Sequence, residues 1–224
     1  MSPRNESTES ATMRSMDSFI ERLREALKGP LPGRAAQLRM APEWRHHTLE
    51  SGTDFRRAAV LILLYPEDGV FRFPLIVRSA GPGPHGGQVA FPGGAVEKDE
   101  TEVEAALREA REELGIDTEG IEVLGALTPL AVNISRFHVT PVVAYAAERP
   151  LFKPSPAEVA DWFHVSLNEL IDDAAKGTII LNRTGNERQA PCYRCSNRIV
   201  WGATAIALAE FEDLIGNLQN KEIG

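Results

Sequence analysis

Residues 91–116 read FPGGAVEKDETEVEAALREAREELGI, and the helix inside this stretch is specified from both ends. Thr101 followed by Glu104 spells a capping box, Glu102 and Glu104 put negative charge in the first turn, and Gly115 supplies a left-handed stop. The predicted helix is Glu102 to Leu114. At ~100° per residue, Val103, Ala106, Leu107, Ala110 and Leu114 fall within about 50° of one direction, a core-facing stripe. Glu109, Glu112 and Glu113 share an arc on another side. Like charges three and four residues apart repel by a few tenths of a kcal/mol, roughly, for each pair. A divalent cation turns that repulsion into coordination, and oxygen-only ligands suit Mg²⁺ or Mn²⁺ rather than zinc. The plain alternative is a solvated acidic helix face.

Outward from this helix, Ala58 to Leu64 is an uninterrupted apolar run of strand length, Tyr65-Pro66-Glu67-Asp68-Gly69 offers a turn, and Val70 to Val77 reads as a second strand. Further strands are expected at Ile121 to Leu127, Phe137 to Tyr145, Val159 to Val165 and Thr178 to Leu181. An amphipathic helix carrying Phe19, Ile20, Leu23, Ala26 and Leu27 stops at Gly29-Pro30, and an apolar helix spans Ala203 to Ile215. Residues 1–14 are polar and aperiodic and are expected to form a disordered tail, with 15–220 a single domain. Strands and helices intermix without a βαβ repeat, which predicts an α+β fold.

The chain has 224 residues and a formal net charge of −8. Between Glu97 and Glu113 lie eight acidic and three basic side chains, so most of that acidity belongs to one helix and its approach loop. A net-acidic chain argues against sequence-independent nucleic-acid binding, which needs clustered Lys and Arg. No apolar run approaches the ~20 residues of a membrane helix. Only two cysteines, Cys192 and Cys195, and no signal-peptide pattern point to the cytoplasm.

Gly94, five residues, Glu100, seven residues, Arg108-Glu109, Ala110, Arg111, Glu112-Glu113, Leu114, Gly115, Ile116 reproduces the G-x5-E-x7-R-E-U-x-E-E-x-G-U box of the Nudix hydrolases, with Ala110 a small occupant of an aliphatic slot. The resemblance implies an α/β/α sandwich around a mixed sheet and hydrolysis of a nucleoside diphosphate linked to another moiety. It also implies that Glu109, Glu112 and Glu113 hold Mg²⁺ or Mn²⁺, that Arg108 orients the carboxylates, and that Gly93 and Gly94 allow a tight turn before the helix. Glu109, Glu112 and Glu158 are candidate general bases. Homodimerisation is left open.

Upstream, LIVRSAGPGPHGGQVAFPGG at 75–94 resembles the signature of the coenzyme A pyrophosphatase subgroup through Arg78, Ser79, His85, Gly87, Gln88, Phe91, Pro92, Gly93 and Gly94. Gly83 stands where that subgroup has a second Arg. PGRAAQLRMAP at 32–42, GALTPL at 125–130 and VWGATA at 200–205 resemble the same subgroup. The implied substrate is coenzyme A or an acyl derivative, with Arg78, His85, Gln88, Gly93 and Gly94 as binding residues and 3′,5′-ADP and 4′-phosphopantetheine as products.

Other signals carry less. Gly81, Gly83 and Gly86 spell G-x-G-x-x-G, but Pro82 and Pro84 interrupt it and no helix pattern follows. Cys192 and Cys195 form a lone C-x-x-C, read as two ordinary thiols. His138 reads as a sheet residue, and Arg136 as a phosphate contact or a salt bridge.

Overall fold

The computed structural model describes residues 3–44, 54–80, 86–183 and 186–220. Its axis is strand β1 (Arg56–Glu67), which alternates between two cores. Ala59, Leu61, Leu63 and Tyr65 face one cluster, while Ile62 and Leu64 face the other. A strand covered on both faces has no solvent side, which is why its sequence is continuously apolar rather than alternating. Strand β2 (Val70–Arg78) returns antiparallel to it. The turn is tighter than expected, because pairing continues to Glu67↔Val70. Asp68 and Gly69 alone make the reversal, at φ +53° and +74°, the positive values a two-residue hairpin needs.

The short strands β3 (Val89–Ala90) and β4 (Gly93–Ala95) follow, β3 on β2 and β4 on the early part of β1. Helix α1 (Pro3–Lys28) and α2 (Gly33–Arg39) precede the sheet, and α3 (Glu102–Leu114) follows β4. Strands β5 (Glu122–Ala126), β6 (Leu130–Val132) and β7 (Phe137–Tyr145) complete this half, with β7 parallel to β1 from Arg56↔Phe137 to Leu64↔Tyr145. Strand β8 (Val159–Ser166) pairs with β2. After α4 (Leu167–Ile171), strands β9 (Lys176–Arg183), β10 (Asn186–Cys195) and β11 (Arg198–Trp201) form a separate antiparallel sheet, and α5 (Ala203–Asn220) closes the fold. Helix α3 packs against one face of the main sheet, with α1 and α5 on the other. The result is an α+β sandwich.

Three expectations change. Helix α1 begins at Pro3, so most of the tail expected to be disordered is helical. Pro3 suits the first helical position, and no Gly or further Pro interrupts the segment. Within α1, Ile20, Leu23 and Leu27 are buried as the periodicity required. Helix α2 lies between Gly29-Pro30 and β1, a stretch in which the sequence pattern predicts no element. The sequence pattern predicts no strand at β10, because Pro191 interrupts a mixed-polarity run, yet Ala190, Cys192, Tyr193 and Cys195 are all buried there.

One carboxylate explains why three scattered stretches belong together. Buried Glu210 on α5 accepts from Gln37 Nε2 (2.7 Å), the Thr128 amide (3.1 Å) and the Gly33 amide (3.2 Å), and Gln37 also donates to the Thr128 carbonyl at 2.8 Å. The loop after β5, α2 and α5 are thereby joined behind the sheet.

Candidate active site

Helix α3 has the predicted bounds, with both halves of the capping box formed: the Glu104 amide donates to Thr101 Oγ1 (3.2 Å) and the Thr101 amide to Glu104 Oε2 (2.8 Å). Gly115 takes φ +61°, and a Cβ there would lie 2.2 Å from the Lys153 carbonyl oxygen. That close approach lets the Lys153 and Ser155 amides cap the Leu114 and Glu113 carbonyls at 2.7 and 2.9 Å. The same segment leads to Glu158, exposed in the turn one residue before β8 rather than at the start of the strand.

Arg108 is the hub of the acidic face. Its Nε and Nη2 reach the two oxygens of Glu100 at 2.9 and 3.1 Å, Nη1 reaches Glu109 (2.9 Å) and Glu112 (3.1 Å), and Nη2 also donates to the Ala95 carbonyl at 3.0 Å. These bonds hold Glu100 below the usual carboxylate range and raise Arg108 further above its own. Gly94 is packed under this network, since a Cβ on it would meet Glu109 Oε1 at 2.2 Å.

Glu113 behaves differently from its neighbours. The helical wheel sets it apart from the core stripe, yet it is fully buried, because α3 lies against β4 as well as against β1. Its Oε2 accepts from the Gly93 amide at 2.8 Å, and Oε1 sits 3.0 Å from Arg78 Nη1 without a hydrogen-bond partner. Burial pushes its carboxyl up to about 7, against the pull of Arg78 and the Gly93 amide, and the charges of Glu109 and Glu158 add to the rise. Glu109, Glu113 and Glu158 therefore share one electrostatic neighbourhood. Among the described residues no three acidic or His/Cys side chains stand together in metal-ligand positions, as Arg108 engages Glu109 and Glu112 while Arg78 faces Glu113. The donor set still fits a hard cation: all oxygen, with one buried carboxylate oxygen left unbonded.

Arg78, Gln88, Gly93 and Gly94 all border one cavity of about 650 Å³. Its other walls include Trp44, Ile134, Phe137, Leu181, Arg188 and Trp201. The Arg78 guanidinium is partly committed inward, donating to the Gly93 carbonyl at 3.1 Å besides facing Glu113. His85 and Gly83 lie outside the described residues. Arg136 does not line the cavity and pairs with Asp54 at 3.3 Å, the salt-bridge alternative. His138 is a β7 residue opposite Ala131 and Arg57. Strand β3, not a helix, follows the G-x-G-x-x-G stretch. Cys192 and Cys195 are buried free thiols. Their odd spacing on β10 points them to opposite faces, and burial pushes Cys195 up to about 12. Trp44 and Arg188 belong to no sequence motif, and Trp201 belongs to the VWGATA stretch.

The NUDIX domain family matches residues 55–183, more than half of the chain. This chain belongs to the Nudix family. Similar proteins include an uncharacterized Nudix hydrolase NudL of Pectobacterium atrosepticum, 40% identical over 67% of this chain and 78% of the relative. Another, the Klebsiella pneumoniae protein of the same name, is 36% identical over 79% of this chain and 90% of its own. A Nudix hydrolase from M. smegmatis, RenU, shares the fold, with a TM-score of 0.52 at 23% identity over 73% of this chain and 87% of that one. As a Nudix hydrolase the protein acts on a nucleoside diphosphate derivative, a small-molecule substrate. Among the described residues no helix is long and apolar enough to cross a membrane.

Proposed function

We propose that this Nudix hydrolase cleaves the diphosphate of coenzyme A or an acyl-CoA, releasing 3′,5′-ADP and 4′-phosphopantetheine or its acyl form. The observation that carries the reading is the placement of Arg78, Gln88, Gly93 and Gly94, all from the upstream signature, around one cavity with apolar and aromatic walls, while Gly93 and Gly94 also touch Glu113 and Glu109 of the carboxylate helix. A cavity of about 650 Å³ has room for a nucleotide-sized ligand, with the apolar and aromatic walls to cover its base or its pantetheine arm.

Glu109, Glu112 and Glu113 would hold Mg²⁺ or Mn²⁺, which supplies charge neutralisation of the diphosphate and activation of water. Arg108 orients Glu109 and Glu112 from one side, and the buried Gly93 amide orients Glu113 from the other. Glu109 and Glu112 are held by Arg108, whereas Glu158 has no ion-pair partner among the described residues. Glu158 is therefore the carboxylate left to accept a proton from the attacking water.

Incubation with coenzyme A and Mg²⁺ or Mn²⁺, with products identified by mass, should yield 3′,5′-ADP, and EDTA should abolish the reaction. Glu113→Gln should lower turnover by at least about 100-fold with an unchanged circular dichroism spectrum. Absence of 3′,5′-ADP while ADP-ribose or a dinucleotide is cleaved would replace the substrate and keep the class. Gly83, in place of the subgroup's Arg, is the observation favouring that second reading.

A further inference from the structure

Among the described residues the cavity has no acidic side chain in its lining although the chain carries a net charge of −8, and the arginines among them are Arg78 and Arg188. Arg78 is spent on Glu113 and the Gly93 carbonyl. Arg188, exposed on β10, has no carboxylate partner among the described residues, and its Cζ lies 5.4 Å from the centroid of the Trp44 ring. A cation–π contact of this kind uses no N–H group as a hydrogen-bond donor to a carboxylate, so the guanidinium keeps the fork of donors that matches a phosphate. Trp44 and Arg188 both lie outside the 55–183 segment matched by the family, apart from the box that carries the carboxylates.

We infer that Arg188, lying over the Trp44 ring, is a specificity-determining residue that binds a phosphomonoester on the nucleoside end of the substrate. This deepens the coenzyme A reading and rests on it, because coenzyme A carries a 3′-phosphate in addition to its diphosphate. The substrate would lie with its diphosphate at Gly93 and Gly94 and its phosphorylated ribose towards the C-terminal sheet.

The test has two arms. Calorimetric binding of 3′,5′-ADP and 5′-AMP to the wild type, Arg188→Gln and Arg188→Lys requires no turnover. The wild type should prefer 3′,5′-ADP by about tenfold, Arg188→Gln should bind the two equally, and Arg188→Lys should keep part of the preference. Equal affinities in the wild type, or a preference that survives Arg188→Gln, would overturn the inference. In the second arm, kcat/KM is compared for coenzyme A and its 3′-dephospho form. Arg188→Gln should raise KM for coenzyme A alone by about tenfold at constant kcat. An Arg188-dependent preference for 3′,5′-ADP with no cleavage of coenzyme A would keep the subsite and remove the coenzyme A reading. Cleavage of coenzyme A with no such preference would do the reverse.

Discussion

Arg108 grips Glu100, eight residues earlier in the chain, through two parallel bonds of 2.9 and 3.1 Å that use both carboxylate oxygens. The pair pins the loop after β4 to the acidic face of α3, and both side chains are largely shielded. Arg108→Lys keeps the charge but not the fork, so it should lower kcat more than thermal stability. Arg108→Ala leaves Glu100, Glu109 and Glu112 without their shared partner and should cost about 2–3 kcal/mol in urea unfolding as well. Equal kcat for Arg108→Lys and the wild type would remove Arg108 from any role in orienting the carboxylates.

Gly93 and Gly94 make opposite predictions when each is changed to Ala. A Cβ at Gly93 meets backbone, with the Ala59 oxygen at 2.3 Å and Val60 Cα at 2.6 Å, so the β1–β4 pairing must open. Gly93→Ala should destabilise by about 3 kcal/mol. At Gly94 the obstacle is a side chain, Glu109, which can swing aside. Gly94→Ala should melt close to the wild type in calorimetry yet lose most activity.

Glu210 should matter for stability far from the carboxylate helix. Glu210→Ala strands the Gly33 and Thr128 amides and the Gln37 amide group, and should cost about 3–5 kcal/mol. A Gln37→Ala/Glu210→Ala cycle should show strong coupling, since both side chains end in one hydrogen-bonded cluster; additivity in that cycle would refute it.

His164 predicts an acid sensitivity. Its Nδ1 lies 2.7 Å from the Tyr65 hydroxyl, and burial holds the imidazole below its ordinary value, with Arg149 and Arg72 acting the same way and Glu67 opposing. Tyr65 itself is raised by burial and stays protonated, able to donate to a neutral ring. Below about pH 6.5 the unfolded chain takes up a proton that the folded ring resists, so stability is lost as pH falls from there towards the folded value, and is flat above. His164→Asn removes this contribution. Urea unfolding from pH 8 to pH 5 should show the wild type losing its advantage over the variant as the pH drops.

Sequence alone determined the bounds of α3, the box spacing, the strand at β1 and the class of chemistry. Those signals are local: a cap, a stop and a 3.6-residue period act within a turn or two, and the seven residues between Glu100 and Arg108 let a loop carboxylate meet an arginine on the adjacent helix. Only the tertiary structure decided that Glu113 is buried, that Arg78 faces it, that β10 is a strand despite Pro191, and that Trp44 and Arg188 share a cavity with Gly93 and Gly94. Each of these depends on which distant surface covers a residue, and burial against a partner far along the chain leaves no period or spacing in the sequence to read.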